Sequence, residues 1–527
     1  MPRVERRQTS RTVRHWQEGG GLVNGSDLIT EHRASATDAE PEPYSTWDSV
    51  PWEKAETHVS KLQTRIARAT KEGRVEDARK AQRQLVASFD AKLLAVRTVT
   101  TNKGRNTPGV DGVLWKTPQD KLAAARALTP KGYRAGPLRR VRIPKKGKRG
   151  ETRPLGIPTM RDRAMQALYA LSLDPVAETK ADAHSFGFRR GRSAQDASQR
   201  LFNVLGRKTS ARYVLEGDIK GCFDHISHDW LMNHVPMDKR VLAQFLKAGF
   251  MEQGGWHETD EGAPQGGIIS PILANMALDG MEGMLNERFM HGKCGRRNPK
   301  KASANLVHLV RYADDFVVTA KTPEVAAEAR TLVEGFLAER GLELSEEKTL
   351  VTHIDEGFDF LGWNFRKYGG KLLVKPSKKA VDSFVREMHR CILREGRGLS
   401  QEKLVKLLTP KIRGFAAYHR HTCASRLFAE IDHIIYRQLQ RWACRRHPRK
   451  TKGWVHNRYW FEKGGSKYVF GSEDCFLPHM AWQHIVRHMF PREDANPYLD
   501  RDYFAERKVL IRSINGRSFW IPAAKER

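Results

Sequence analysis

The sequence predicts an α+β fold followed by a separate helical domain, on three observations. Between about residues 212 and 365, β-prone runs such as Tyr213-Val214-Leu215 and Phe316-Val317-Val318 alternate with helical periodicity, the pattern of strands and helices that share a core. Beyond about 375 the pattern is almost wholly helical, strongly basic and studded with aromatics. The chain has 527 residues, room for three or four domains at roughly 150 residues each.

Taken in order, residues 1 to about 60 are rich in Arg, Ser, Thr, Glu and Pro and lack periodicity, with Pro-Glu-Pro at 41–43. They read as a flexible extension that ends in a short docking segment at Trp47 and Trp52. From about 59 to 98 the spacing turns helical, with Leu85, Phe89, Leu93 and Val96 at intervals of four, four and three. Asn102 to Gly112 is dense in turn formers. Leu138 to Pro144 reads as a strand, Lys145 to Gly150 as a basic hairpin tip, and Arg153 to Pro158 as the return strand. Residues 161–178 are helical, and no internal repeat is legible.

Lys and Arg number 92 against 61 Asp and Glu, a net charge of +31. Such an excess repels itself unless a polyanion neutralises it, and nucleic acid fits because its phosphates recur along the chain. A basic surface kept for solubility alone rarely needs so one-sided a charge. The six cysteines include no Cys-x-x-Cys pair, so neither a zinc ribbon nor a disulfide framework is indicated. His419, His421 and Cys423 lie close together but lack a second ligand pair at finger spacing, so a packed or RNA-facing helix is the plainer reading. The N-terminus shows no secretory pattern, and no stretch approaches the ~20 apolar residues that span a bilayer. The expectation is an intracellular, cytoplasmic protein with reduced thiols and no membrane partner.

Two segments carry chemistry. Tyr213 to Asp218 is a β-prone run that ends in a carboxylate. Alone, such an Asp is ordinarily a turn or cap residue. Leu306 to Val318 is a pair of apolar runs around Ala313-Asp314-Asp315, a hairpin with two carboxylates at its turn. Adjacent carboxylates repel, and a cation holds them together. If the strand end and the hairpin turn meet across one sheet, Asp218, Asp314 and Asp315 can bind two magnesium ions. Such a site aligns a 3′-hydroxyl, stabilises a pentavalent phosphate and helps pyrophosphate leave.

At these residues the chain resembles the reverse transcriptase family. Tyr312-Ala313-Asp314-Asp315 matches its Tyr-x-Asp-Asp signature, and Asp218 with Phe223 its Asp-x-x-x-x-aromatic motif. Gly262-Ala263-Pro264-Gln265-Gly266-Gly267 matches its Pro-Gln-Gly segment. The resemblance implies a right-hand polymerase fold of fingers and palm, followed by an α-helical thumb. It implies two Mg2+ ions ligated by Asp218, Asp314 and the Ile219 carbonyl, with Asp315 beside them. Phe223 would clash with a 2′-hydroxyl and select deoxynucleotides, although a core aromatic is an alternative role. Lys145 and Arg153 would bind the triphosphate, with Lys146 and Lys148 as rival lysines. Gln265 would contact the nucleotide through its amide, while Gly266 lets the backbone approach closely. Lys348 matches a later family lysine that protonates pyrophosphate, or else forms a surface salt bridge. Phe358 to Trp363 resembles the primer-grip turn.

The flanking segments narrow the family. Arg153 to Pro158, Gly187-Phe188-Arg189-Arg190-Gly191-Arg192-Ser193 and Ile219-Lys220-Gly221 look like bacterial group II intron proteins. Gly414 to Tyr418, Arg441-Trp442-Ala443, Gly453-Trp454-Val455 and Arg458-Tyr459-Trp460 are similar in order to the maturase-specific domain. The resemblance covers about 80 to 500. It implies an intron-encoded RNA-directed DNA polymerase that also assists intron splicing and mobility. The partners would be an RNA template, the intron RNA, a DNA primer and product, and dNTPs. The expected domains are an extension over 1–60, fingers and palm over 61–370, thumb and maturase over 371–495, and a basic tail over 496–527 without an endonuclease module. The competing readings are a domesticated reverse transcriptase in defence or repair, and a polymerase-dead splicing cofactor. Intact Asp218, Asp314 and Asp315 count against the second.

Overall fold

The computed structural model describes residues 44–144, 150–263 and 266–517. The first helix, Trp52–Lys71, begins inside the stretch expected to be a flexible extension. Its start is anchored by Trp47, edge-on to Trp52 at 4.9 Å, and by the Arg97 guanidinium 4.7 Å over the Trp52 ring. With Val50, Ala55 and Val59 also buried, the tryptophans anchor a segment of otherwise polar composition. Gly73, at φ 72, turns the chain into Val75–Ala87, and Ser88 breaks to an extended ψ of 129 before Phe89–Thr101. The apolar spacing of Leu85, Phe89, Leu93 and Val96 therefore runs across a helix break. Leu85, Leu93 and Val96 are nonetheless wholly buried, because the second and third helices both pack on Met160–Lys180.

Leu138–Pro144 and Thr152–Ile157 pair antiparallel with Pro144 opposite Thr152; the basic tip expected at Lys145 to Gly150 lies almost wholly outside the described residues. Leu138 and Arg139 also pair, in parallel, with Phe250 and Met251. The larger sheet is ordered His308–Tyr312, Asp315–Ala320, Tyr213–Asp218, Leu350–His353, and every pairing is antiparallel. One face of it buries Val214, Val310 and Val317 with Leu201 and Leu205 of the helix Ala194–Leu205. The same cluster takes in Trp363 and Phe365 from the smaller sheet of Phe358–Phe360, Trp363–Tyr368 and Lys371–Pro376. Phe360 and Trp363 pair across Leu361 and Gly362, at φ 50 and 82, a two-residue turn of the type that matches strand twist.

The helical region packs Lys378–Arg390, Gln401–His419, Ser425–Arg446 and Lys452–Tyr459 on a hairpin of Trp460–Lys463 and Ser466–Phe470. In the long helix Ser425–Arg446, Phe428, Ile431, Ile435, Leu439 and Trp442 form the buried stripe. His419 is buried beneath Trp363 and His421 bonds Ser198 at 3.1 Å, so that histidine pair is packing, as expected.

The segment expected as a C-terminal tail holds a helix, Arg501–Arg517. Arg507 pairs at 2.6 Å with Asp196, whose side chain also closes the capping box of Ala194–Leu205 and accepts from His488 at 2.7 Å. The Tyr498 hydroxyl donates to Asp174, and Thr64 of the first helix donates to the Tyr498 carbonyl at 3.1 Å. These partners lie hundreds of residues away, where local composition cannot register them.

Candidate active site

The antiparallel register sets Asp218 opposite Asp315, and Tyr312 opposite Asp315. Ala313 and Asp314 form the two-residue turn, with Ala313 held at φ 58. The three acidic residues are thus brought to one end of one sheet, as the sequence predicts. Their like charges are costly. Burial and then the neighbouring Asp218 charge raise Asp314 above the usual carboxylate range. Burial, then the Asp314 and Asp218 charges, push Asp315 up to about 7. Its side chain still reaches solvent, so the like charges are the sturdier of those causes. One cation answers them directly: Lys348 Nζ sits 2.5 Å from Asp218 Oδ2. Hydrogen bonding to Asp218 raises Lys348 and keeps it charged. Asp218, Asp314 and Asp315 against one ammonium suit hard divalent cations. Among the described residues no three His, Cys, Asp or Glu side chains converge closely enough to cage an ion; the Lys348 ammonium engages Asp218 instead.

Ile219 has a buried side chain and bridges to Leu344, while the Asp218 carbonyl accepts from Ser345 at 2.8 Å. Phe223 is half-buried on the short helix Cys222–His225. It lines a cleft of about 400 Å³ with Arg140, Pro154, Gly156 and Gly262. Arg153 lies exposed on the return strand, and its charge is felt at Asp224 and Asp314. Gly266, at φ 108, does make a close approach, but to the chain itself: a Cβ there would stand 2.5 Å from the Gly156 carbonyl. The segment is steadied by Gln166, which accepts from the Ile268 amide at 2.8 Å. Lys145 and Gln265 lie outside the described residues.

Several residues that frame the site escape sequence reasoning. A Cβ on Gly187 would stand 2.3 Å from Ala313 N and 2.8 Å from Tyr312 C. His184 to Gly187 therefore lies directly against the hairpin that carries Asp314 and Asp315. Its backbone bonds to Arg311 in both directions, Phe186 N to Arg311 O and Arg311 N to His184 O, each 2.9 Å. The Arg311 side chain is wholly buried, ion-paired with Asp279, and donates to Asn275 Oδ1 at 3.1 Å and to the Ala313 carbonyl at 3.4 Å. Asn275 Nδ2 in turn donates to the Gly187 carbonyl at 2.9 Å. Burial pushes Asp279 up to about 6, with Arg311 pulling the other way. The Gly187 motif was legible only as a family match, and Arg311 reads like any arginine until Asp279 is found.

A basic-flanked strand hairpin, a four-stranded antiparallel sheet with acidic residues at one end, and a helical region after it are the parts expected of a right-hand template-directed polymerase. Comparison with known proteins narrows this. The profile of reverse transcriptase (RNA-dependent DNA polymerase) matches residues 143–365, that of the N-terminal domain of reverse transcriptase matches 47–128, and that of the group II intron maturase-specific domain matches 381–460. Protein YkfC of Escherichia coli (strain K12) is 35% identical over 326 residues, 54% of this chain and 84% of that protein. Group II intron-encoded protein LtrA of Lactococcus lactis subsp. cremoris is 30% identical over 335 residues, 53% of this chain and 55% of LtrA, so the chain spans about half of that relative. Among solved structures, telomerase from Candida albicans aligns at 12% identity and TM-score 0.34, covering 61% of this chain and 64% of that one.

The chain belongs to the reverse transcriptase and maturase family of group II introns, RNA-directed DNA polymerases by class. Membership implies RNA and DNA substrates and the use of a divalent metal. Among the described residues, no helix is long and apolar enough to cross a membrane.

Proposed function

We propose that this chain copies RNA into DNA in the cytoplasm by two-metal nucleotidyl transfer, and that it assists the splicing and mobility of a group II intron RNA. The observation that carries the polymerase reading is the pairing of Asp218 with Asp315 beside the Asp314 turn. Two Mg2+ ions, held by Asp218, Asp314 and the Ile219 carbonyl, would supply charge neutralisation at the transferring phosphate. Asp315 supports that cluster. Arg153, from the return strand, and Lys145 bind the triphosphate of the incoming dNTP, Arg153 bidentately. Gln265 and Gly266 complete the nucleotide's seat. The ion pair with Asp218 keeps the proton on Lys348, so Lys348 serves as general acid to pyrophosphate only once that pair has opened. Fingers and palm run to about 370 and the helical thumb and maturase region over 371–495. The Trp47 and Trp52 contact supports starting the fingers there instead of at 61.

Phe223 lines the cleft with Arg140 and Pro154, which supports reading its ring as the group that excludes a ribose 2′-hydroxyl. Phe223→Ala is expected to raise ribonucleotide incorporation by about tenfold or more relative to deoxynucleotides, since steric exclusion is lost with the ring. The measurement is kcat/KM for each nucleotide on an RNA template. Unchanged discrimination would return Phe223 to a packing role.

The maturase reading rests on exposed basic residues at the end of Ser425–Arg446, namely Arg441, Arg445 and Lys450. Arg446, although exposed, is already engaged: it donates to the Leu399 carbonyl at 2.8 Å and lies 4.6 Å over Trp442. Ile434, apolar but 36% exposed, belongs to the same open face. Replacing Arg441, Arg445 and Lys450 with Gln removes charge and keeps length. Splicing at near-physiological salt is expected to fall well below wild type, with extension on a simple RNA template much less affected. Equal losses would assign these residues to the duplex grip and remove the maturase claim.

A further inference from the structure

Phe188 is out of place by every local rule. Its backbone sits at φ 58, left-handed and strained for a bulky residue, and its side chain is 54% exposed. Strain of this kind persists only where the surroundings over-determine it, and here both neighbours are anchored. On one side Gly187 is pressed against Ala313 and its carbonyl is held by Asn275 at 2.9 Å. On the other, Arg189 is buried in an ion pair with Glu178 at 2.6 Å and donates to the carbonyls of Asp182 and Ser185 at 2.6 and 2.7 Å. The chain between two fixed points cannot relax, so the Phe188 backbone, from which the ring projects, is held fixed relative to the Asp314 turn. That ring meets Phe223 edge-on, with centroids 6.2 Å apart and planes at 75°, the geometry aromatic pairs prefer.

We propose that Phe188 is a positioning residue for sugar selection: it fixes the Phe223 ring relative to the catalytic aspartates and so sets how strictly ribonucleotides are refused. The proposal rests on the reading of Phe223 as the sugar gate. It adds that the gate is a pair of rings, the second tied to the Tyr312–Asp315 hairpin through Gly187. A half-buried ring on a four-residue helix has freedom to swing. An edge contact from a backbone-locked neighbour removes that freedom at the one place where a fraction of an ångström separates hydrogen from hydroxyl.

The test compares the ratio of deoxy- to ribonucleotide kcat/KM in the full chain, with KM and kcat separated for each substrate. Phe188→Asn removes the ring but tolerates the left-handed backbone; Phe188→Gly does the same if the first variant folds poorly. Either is expected to relax discrimination by roughly tenfold, the scale of one aromatic contact, while Phe188→Tyr restores it. The double variant with Phe223→Ala is expected to be no more permissive than Phe223→Ala alone, because both act through one element. Wild-type discrimination in Phe188→Asn, with Phe223→Ala relaxed, overturns the proposal and leaves the gate standing. Effects that add in the double variant overturn it too, since Phe188 would then act independently. Full discrimination in Phe223→Ala removes the gate reading, and this proposal with it.

Discussion

Asp314→Asn is expected to lower primer extension on an RNA template by roughly 10²–10³ or more, the scale for removing a preorganised charge at a reaction centre. The same variant makes a second readout. In the wild-type protein Asp314 and Asp315 are both raised by burial and by like charges, so a divalent cation bound as proposed would relieve repulsion and stabilise the fold. If that cation is Mg2+, at about 100 times its Kd it would contribute about 2.7 kcal/mol. Asn in place of Asp314 removes one of the repelling charges, so the metal-free variant melts no lower than wild type and gains much less from Mg2+. Thermal denaturation with and without Mg2+, run beside the extension assay, checks both halves. Full extension by Asp314→Asn would remove Asp314 from the metal site; an unchanged Mg2+ shift would move the binding elsewhere.

Gly187→Ala is expected to cost about 10²-fold in extension although residue 187 touches no substrate. The added Cβ would meet Ala313 N at 2.3 Å and Tyr312 C at 2.8 Å, backbone against backbone, so the hairpin that carries Asp314 and Asp315 must shift. Displacement of about 1 Å at a reacting centre costs on that order. Gly335→Ala is the control. It lies in the helix Pro323–Ala338, and a methyl group added there would meet nothing within 4 Å. Ala at that position should add roughly 0.5–1 kcal/mol to stability. If Gly187→Ala extends like wild type, activity does not depend on seating the Asp314 turn on the His184 to Gly187 segment.

How much of the molecule is legible before folding follows the range of the interactions involved. The residues alone were enough for the sheet and its acidic end, since a strand declares itself in a few residues and a tight turn in two. Tyr213–Asp218 and the Leu306 to Val318 run needed no distant partner to be legible. The Leu138–Pro144 hairpin was equally plain, and so was the helical character of the last third. The spacing of Leu85, Phe89, Leu93 and Val96 shows where that stops. Periodicity marked three of the four as buried, with Phe89 half-buried, and missed the break at Ser88, because apolar spacing registers which face is covered and not whether one rod or two present it.

The rest was settled by contacts between distant segments. The ends of the chain look polar and loose because their composition is polar, yet Trp52 finds Arg97, Arg507 finds Asp196 and Tyr498 finds Asp174. Arg311 sits in a β-run like a surface arginine, and only Asp279 and Asn275 explain its complete burial. Gly187 is indispensable on account of Ala313, and Phe188 is strained on account of the anchors either side of it. Local propensity is a property of a few consecutive residues; a buried ion pair or a backbone contact depends on which distant segment the fold delivers, and that is decided only when the whole core has closed.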